Sequence, residues 1–413
     1  MRQDDTPPTS PLMEGEIDEN DVVYIDDIDE VINAGDEEDG DMGDMEEMEE
    51  DGQGRNDASC IFSKHTGSVF CGALSKNENL AATGGEDDKA FVWDTVSGDI
   101  ILECTGHKDS VTFSDFNHDD SYLATGDMGG FIQLWKLSDK SVIWKYEMDD
   151  MTWMQWHSAA NVLFAGSITG EIYMWKVPSG ECKILPGSGE RLETAALLPD
   201  GVRLSVGYKD GSIRIWDLKS NSVMFTIAKD FGHTEAVLAL DCYVDNNLIL
   251  SAALDGKTII SSSQTGKVLS VLQDLGEITD SNNVEDEGAM EEVKKGNYVE
   301  TVAWHKDPEH QIAATGTLNG EIFIWDVAKQ TVRQKIELED GINKLMWKEG
   351  TTILLAASLD GILRCFDGRS GVCLRLFVSH SADLLDLSVS RSGMKVLTTS
   401  DDKTARIFEI DIH

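Results

Sequence analysis

Histidine, hydroxyl and carboxylate side chains recur along this chain at a fixed spacing, and together they could perform nucleophilic hydrolysis. The first set is His65, Thr83 and Asp87. In a hydrolase triad, a carboxylate orients a histidine that removes the proton of a nucleophilic hydroxyl. Related sets follow further along the chain: His107 and Thr125; His233, Ser251 and Asp255; His380, Thr398 and Asp402. A single active site needs such a set once, so its repetition favours a structural role over catalysis.

The elements that carry these sets repeat with them. Eight short β-like runs end in an aromatic–acid pair or a worn form of it: Trp93-Asp94, Trp135-Lys136, Trp175-Lys176, Trp216-Asp217, Ser261-Ser262, Trp325-Asp326, Phe366-Asp367 and Phe408-Glu409. From residue 93 the steps are 42, 40, 41, 45, 64, 41 and 42 residues. Such a period predicts an all-β chain that forms one β-propeller of four-stranded blades. We expect eight blades, or seven if the degenerate repeat at Ser261 does not form a blade.

The two ends of the repeat region indicate how the ring closes. Phe408 lies five residues before the last residue, which leaves no room for an outer strand in the eighth blade. The apolar run Cys60-Ile61-Phe62 precedes the first repeat and belongs to no blade. We expect this N-terminal strand to complete the last blade, because closure removes exposed sheet edges.

The repeat resembles the WD repeat, in which Trp, Thr or Ser, His and Asp form a chain of hydrogen bonds. The resemblance implies a structural tetrad of His65, Thr83, Asp87 and Trp93 in blade one. Other blades depart from it: Phe408 replaces Trp in blade eight, Ser261 replaces it in blade five, and Gly129 stands at the Asp position of blade two beside Trp135. An unsatisfied buried polar group costs roughly 1–3 kcal/mol, so a chain of hydrogen bonds stabilises the buried His and Asp side chains.

Charge divides the chain in two. Residues 1–57 hold 23 Asp or Glu against Arg2 and Arg55, a net charge of −21 out of −42 for the whole chain. A segment so charged and poor in aromatics is predicted to be disordered, and residues 58–413 to form the propeller. Strong negative charge disfavours nucleic acid and anionic membranes as partners and favours basic protein segments. The alternative is that the tail only keeps the protein soluble.

Two further segments stand out. Residues 274–297 carry eight acids against Lys294 and Lys295 and are predicted to be an acidic loop insertion. Within the tail, the apolar island Val22–Ile32 is interrupted by acids and has a spacing that partly suits an amphipathic helix. It is either a docking motif or inert.

Acidic residues also crowd the turns that should open on one face of the ring. We predict these residues to form a protein-binding rim: Glu86, Asp88, Asp109, Asp127, Asp149, Asp150, Glu190, Glu193, Glu235, Glu339, Asp340, Asp383 and Asp401. Lys64, Lys89, Lys108 and Lys209 interrupt the rim without balancing it. The alternative is a set of solvated turns, because Asp favours turns in any case.

The remaining features point to a reduced, intracellular binding protein. Seven cysteines are scattered without a Cys-x-x-Cys pair, and the histidines show no metal-ligand spacing with them. We therefore predict no catalytic residues, no metal and no cofactor. No apolar stretch approaches the ~20 residues that cross a bilayer, so a cytoplasmic monomer without membrane insertion is expected.

Several runs resemble the angio-associated migratory cell protein family. They are T-G-G-E-D-D-K-A-F-V-W at 83–93, G-H-K-D-S-V at 106–111, A-T-G-D-M at 124–128, W-M-Q-W-H at 153–157, M-W-K-V-P at 174–178 and D-G-S-I-R-I-W-D-L-K at 210–219. The resemblance spans residue 58 to the C-terminus and implies a non-enzymatic WD-repeat protein of the cytoplasm. Animal members are linked to cell migration and angiogenesis, and a related fungal protein is a dedicated chaperone of a basic large-subunit ribosomal protein.

Two functions therefore compete. The first is a chaperone that shields and escorts a basic client, such as a large-subunit ribosomal protein during ribosome assembly. The alternative is a cytoplasmic signalling scaffold in cell migration and angiogenesis.

Overall fold

The computed structural model describes residues 55–275 and 298–412. The predicted tail, with its apolar island, lies outside the described residues except for its last three. The predicted insertion also lies outside them, except for Asp274 and Leu275. The described residues form thirty-two strands and no helix. The all-β prediction is confirmed.

The first half of the chain contributes β1 to β17. In chain order these are β1 (Cys60–Phe62), β2 (Val69–Leu74), β3 (Leu80–Gly85), β4 (Ala90–Asp94), β5 (Ile100–Cys104), β6 (Val111–Phe116), β7 (Tyr122–Asp127), β8 (Phe131–Lys136), β9 (Ser141–Glu147), β10 (Met151–Trp156), β11 (Val162–Ser167), β12 (Ile172–Lys176), β13 (Glu181–Leu185), β14 (Leu192–Leu197), β15 (Arg203–Tyr208), β16 (Ile213–Asp217) and β17 (Ser222–Ile227).

The second half contributes β18 to β32. These are β18 (Val237–Cys242), β19 (Leu248–Ala253), β20 (Lys257–Ser262), β21 (Val268–Asp274), β22 (Val299–Trp304), β23 (Ile312–Thr317), β24 (Glu321–Asp326), β25 (Thr331–Glu337), β26 (Ile342–Trp347), β27 (Ile353–Ser358), β28 (Ile362–Asp367), β29 (Cys373–Val378), β30 (Leu384–Val389), β31 (Lys395–Ser400) and β32 (Ala405–Glu409).

These strands form eight four-stranded sheets, each an antiparallel blade. The prediction of eight blades is confirmed, and the worn fifth repeat forms a complete blade, β18 to β21. Its Ser261 is fully buried at the position where five other blades carry Trp. Arg203 from blade four reaches across the junction and donates to the Ser263 carbonyl (3.3 Å) and hydroxyl (3.0 Å). The guanidinium of Arg203 therefore hydrogen-bonds the turn that follows Ser261, the position that lacks a tryptophan.

Closure occurs as predicted. Strand β1 pairs with β32 and completes the eighth sheet, with Ile61 opposite Arg406. Phe62 stacks on Trp93 of blade one, with ring centroids 4.8 Å apart and planes within 6°. Just before this strand, Asp57 accepts a hydrogen bond from the Val378 amide (2.9 Å). The N-terminal segment thus joins three blades: seven, eight and one.

Antiparallel pairing places two kinds of turn on the same side of the ring. The turn from an outer strand to the next inner strand and the turn from the second to the third strand open on what we call the upper face. All eight inner strands have a register shift near their first residue, as between Val69 and Cys71. The inner strands surround an axial channel, in which Phe70, Phe113 and Lys344 line a cavity of about 390 Å³.

Hydrogen bonds between neighbouring blades form a closed belt on the opposite, lower face. Each bond joins the lower end of one blade to the next, with donor–acceptor distances from 2.6 to 3.0 Å. The eight junctions are Lys76–Asp120, Asn117–Asn161, His157–Gly201, Asp200–Asn246, Tyr243–Asp307, His305–Thr351, Lys348–Ile412 and Ser392–Glu78. Every junction between neighbouring blades is therefore bridged by a hydrogen bond on this face.

Candidate protein-binding face

A buried polar network lies directly beneath the upper face in blade one. His65 Nδ1 is 2.9 Å from Asp87 Oδ1, and His65 Nε2 is 3.0 Å from Thr83 Oγ1. The indole nitrogen of Trp93 donates to the same Thr83 hydroxyl at 3.3 Å. Asp87 also accepts from the Thr66 amide at 2.9 Å and so fixes the turn above it. The four residues predicted as a structural tetrad are joined in one chain.

Two other blades repeat this network without Trp. In blade eight, His380 bonds Asp402 at 2.9 Å and Thr398 at 2.7 Å. Blade five has the same pattern, with His233 bonding Asp255 at 3.1 Å and Ser251 at 2.8 Å. The hydroxyl residues Thr83, Ser251 and Thr398 are fully buried, so a substrate could not reach them. The geometry therefore fits a scaffold better than a hydrolase.

Blade two differs from the sequence-based expectation at two residues, Gly129 and Asp127. Its network contains Asp127, whose carboxylate lies 3.1 Å from His107 Nδ1, so the empty Asp position at Gly129 does not leave the histidine unpaired. Asp127 also accepts from the amides of Lys108 and Phe131 and is fully buried. It was predicted to belong to the exposed rim, and that placement is wrong. The sequence signal for this difference was an acid, Asp127, two residues before Gly129.

The histidine of blade eight should make the fold sensitive to acid. Burial lowers the pKa of His380, although its bond to Asp402 opposes the shift. Burial would raise the pKa of Asp402, but hydrogen bonds from His380, Thr404 and the Ser381 amide hold that pKa well below its usual range. Arg406 lies 3.2 Å from Asp402 and adds a positive charge beside the pair. The network thus favours a neutral imidazole and an ionised carboxylate.

We expect the melting temperature to fall as the pH drops through the ordinary histidine value of about 6.5. The unfolded chain then binds a proton that folded His380 resists, so stability present above that value is lost below it. The depressed carboxylate pKa values add a second loss below about 4, where the unfolded chain binds protons first. Thermal scans between neutral and mildly acidic pH should show a smaller fall for His380→Gln. An equal fall in this variant would contradict the role of His380.

On the upper face itself, the structure exposes eleven of the thirteen predicted rim residues. The exposed residues are Glu86, Asp88, Asp109, Asp149, Asp150, Glu190, Glu235, Glu339, Asp340, Asp383 and Asp401. Glu193 is half-buried and pairs with Arg191 at 3.2 Å. The predicted interrupting cations Lys89 and Lys108 pair with Glu103 and Glu147, which lie outside the rim. Two of the four interrupting cations are thus paired outside the rim.

The junction of blades eight and one brings two of these carboxylates together. Asp401 accepts a hydrogen bond from the Ser68 hydroxyl, and Glu86 accepts one from the Ser68 amide at 3.2 Å. Asp88 lies in the same turn as Glu86 and has a left-handed backbone, with φ of 57°. Ser68 was not singled out in the sequence, because a lone serine in a turn has no distinguishing pattern.

Other kinds of site are not apparent in the part of the chain that the structure describes. Within residues 55–275 and 298–412, no group of three or more His, Cys, Asp or Glu side chains is arranged to hold a metal ion. Over the same residues, no helix is long and apolar enough to span a membrane.

Comparison with known proteins identifies WD repeats and related proteins. The family "WD domain, G-beta repeat" matches residues 58–94, 98–136, 181–217 and 371–409. The human angio-associated migratory cell protein is 40% identical over 357 residues, which cover 86% of this chain and 81% of the human protein. The ribosome assembly protein SQT1 of Saccharomyces cerevisiae is 25% identical over 394 residues, covering 86% of this chain and 87% of that protein.

Solved structures show the same architecture. The crystal structure of Chaetomium thermophilum Sqt1 bound to the N-terminus of the ribosomal protein L10 superposes with a TM-score of 0.74 at 19% identity. The match covers 86% of this chain and 100% of that chain. At 19% identity, this structural similarity shows a shared fold.

Proposed function

Since the chain belongs to the family of the angio-associated migratory cell protein, we propose that it is a non-enzymatic cytoplasmic protein that binds a basic protein segment on its upper face. In this proposal it escorts the client, such as a large-subunit ribosomal protein, during ribosome assembly. The eleven exposed carboxylates on one face are the observation that carries the proposal.

Electrostatics explains why such a face suits a basic client. Carboxylates on fixed turns attract lysine and arginine side chains over about a Debye length, roughly 8 Å at physiological salt. The belt of hydrogen bonds on the lower face joins neighbouring blades, and Asp87 fixes the turn above it through the Thr66 amide, so binding requires little ordering of the propeller. A free ribosomal segment rich in arginine would gain neutralisation and shielding from other polyanions.

The relatives supply the choice of client. One is named a ribosome assembly protein, and one solved relative binds the N-terminus of the ribosomal protein L10. These statements concern those proteins, and we extend them to this chain as part of the proposal. The name of the human relative instead favours the alternative, a signalling scaffold in cell migration.

A pull-down at low salt and at ~0.5 M salt separates the two functions. Charge-driven capture of one basic client should weaken as screening shortens the Debye length. Recovery of one basic protein at low salt and its loss at high salt would support the chaperone. A set of partners retained at both concentrations would support the scaffold and contradict our proposal.

Removing residues 1–54 should change the rate of binding more than the stability of the fold. These residues carry 22 acids against Arg2, whereas the bonds of Asn56 and Asp57 to blade seven remain. We expect an unchanged melting temperature, association about tenfold slower at low salt, and an unchanged dissociation rate. Surface-plasmon kinetics at two salt concentrations would show this. A truncation that mainly accelerates dissociation would instead mean that the tail, for example Val22–Ile32, contacts the client.

A further inference from the structure

Eight residues, one from each blade, form a ring around the upper opening of the axial channel. Each directly follows the second strand of its blade and donates its amide to the residue just before the inner strand of the same blade, at 2.9 to 3.4 Å. We call this set the entrance ring; it consists of Glu86, Met128, Ile168, Lys209, Leu254, Leu318, Leu359 and Asp401. Because the inner strands surround the channel, these hydrogen bonds place the ring at its mouth.

Apolar and acidic residues occupy different parts of the entrance ring. Met128, Ile168 and Leu254 are 50%, 38% and 37% exposed, and the ring leucines of blades six and seven are half-buried. Five of the eight positions are therefore apolar and form an arc that only Lys209 interrupts. The two acids, Glu86 and Asp401, lie side by side on blades one and eight and are both bonded to Ser68.

The fold does not require apolar side chains at these positions. The shared structural role belongs to the backbone amide, and Glu, Lys and Asp perform it in blades one, four and eight. Single exposed apolar residues are common on protein surfaces. Here, however, they occupy one equivalent position repeatedly, on a face otherwise crowded with carboxylates. Apolar residues grouped at one equivalent position, three of them exposed, form a candidate binding patch.

We infer that the client segment of the proposed function is amphipathic: an extended chain whose cationic side chains lie against Glu86 and Asp401 and whose large apolar side chains lie on the apolar arc. This inference rests on the proposed function and specifies the partner further. Charge complementarity alone would accept any basic segment, whereas two adjacent sectors of different chemistry select one pattern and one direction of the chain.

The test compares two labelled peptides on the full chain by fluorescence anisotropy at several salt concentrations. One peptide has an arginine-rich half followed by a half that contains leucine and phenylalanine. The other keeps every arginine and replaces the apolar residues by serine. We expect the first to bind about tenfold more tightly, which equals about 1.4 kcal/mol.

Variants assign this preference to the ring. Met128→Gln with Leu254→Gln should reduce the ratio of the two dissociation constants to about one and leave the salt dependence unchanged. Glu86→Gln with Asp401→Asn should weaken both peptides and flatten the salt dependence while keeping the ratio. Leu269→Gln with Leu374→Gln is the matched control, because these leucines are 54% and 45% exposed on outer strands away from the ring.

The outcomes separate this inference from the proposed function. If both peptides bind the wild type equally and with salt dependence, the inference is wrong and the basic-client proposal stands. If neither binds, both are wrong. If the peptides bind equally and the Met128 and Leu254 replacements instead change the mass measured by light scattering, the arc is a self-association surface. A control pair that abolishes the preference would also overturn the assignment to the ring.

Discussion

We expect Trp93→Ala to lower the free energy of unfolding by about 3–5 kcal/mol. Trp93 is fully buried, packs in the cluster that joins blades eight and one, and stacks on Phe62 of the closing strand. Its indole nitrogen also bonds Thr83, so the replacement opens a cavity and removes one donor from the polar network. Because Phe62 belongs to the strand that closes the ring, the loss should weaken closure as well as blade one. Thermal or denaturant unfolding of the purified protein measures the effect.

Trp93→Phe is the matched control. Blade eight already carries Phe408 at the equivalent position, so a phenyl ring suits this site. The replacement keeps an aromatic ring beside Phe62 and removes the bond to Thr83, for an expected loss of about 1 kcal/mol. An alanine variant that melts at the wild-type temperature would show that the tetrad and the stacked pair do not stabilise the ring.

The largest effect on binding should come from reversing charge at the junction of blades eight and one. Glu86→Lys, Asp88→Lys and Asp401→Lys together should weaken a basic peptide by at least about a hundredfold, because attraction becomes like-charge repulsion. The fold should tolerate the change. Asp88 has a left-handed backbone, but Lys403 already adopts this conformation at the equivalent position of blade eight, with φ of 67°.

The control reverses three exposed acids on the lower face. Asp99→Lys, Glu309→Lys and Glu349→Lys produce the same net charge as the upper-face variant. If binding responded only to total charge, both triple variants would lose affinity equally. We expect the lower-face variant to bind within about twofold of the wild type and to melt at a similar temperature, whereas equal losses would contradict a localised binding face.

Much of the architecture could be predicted from the sequence because one strand pattern recurs at a nearly constant period. Blade five was predicted even without its tryptophan, since the apolar run before Ser261 and the turns around it remained. The closing strand was predicted by elimination, because Cys60–Phe62 had no other sheet to join. Both predictions depend on local patterns that repeat.

The features that the sequence did not predict depend on contacts between repeats. The carboxylate of blade two comes from Asp127, two residues before the usual position, and only the fold shows that it reaches His107. The belt on the lower face uses backbone carbonyls such as that of Gly201, which have no sequence signature. The entrance ring was missed because its members share a backbone hydrogen bond and differ in side chain.

The most direct test of the binding face is one pull-down experiment at low salt with three baits: the wild type, the upper-face triple variant and the lower-face triple variant. Our account predicts that one basic protein, rich in lysine or arginine, is enriched on the wild type and on the lower-face variant and is lost from the upper-face variant. All three baits must be shown to be folded by thermal unfolding before they are compared. An identical set of captured proteins on all three would contradict the claim that the upper face binds the client.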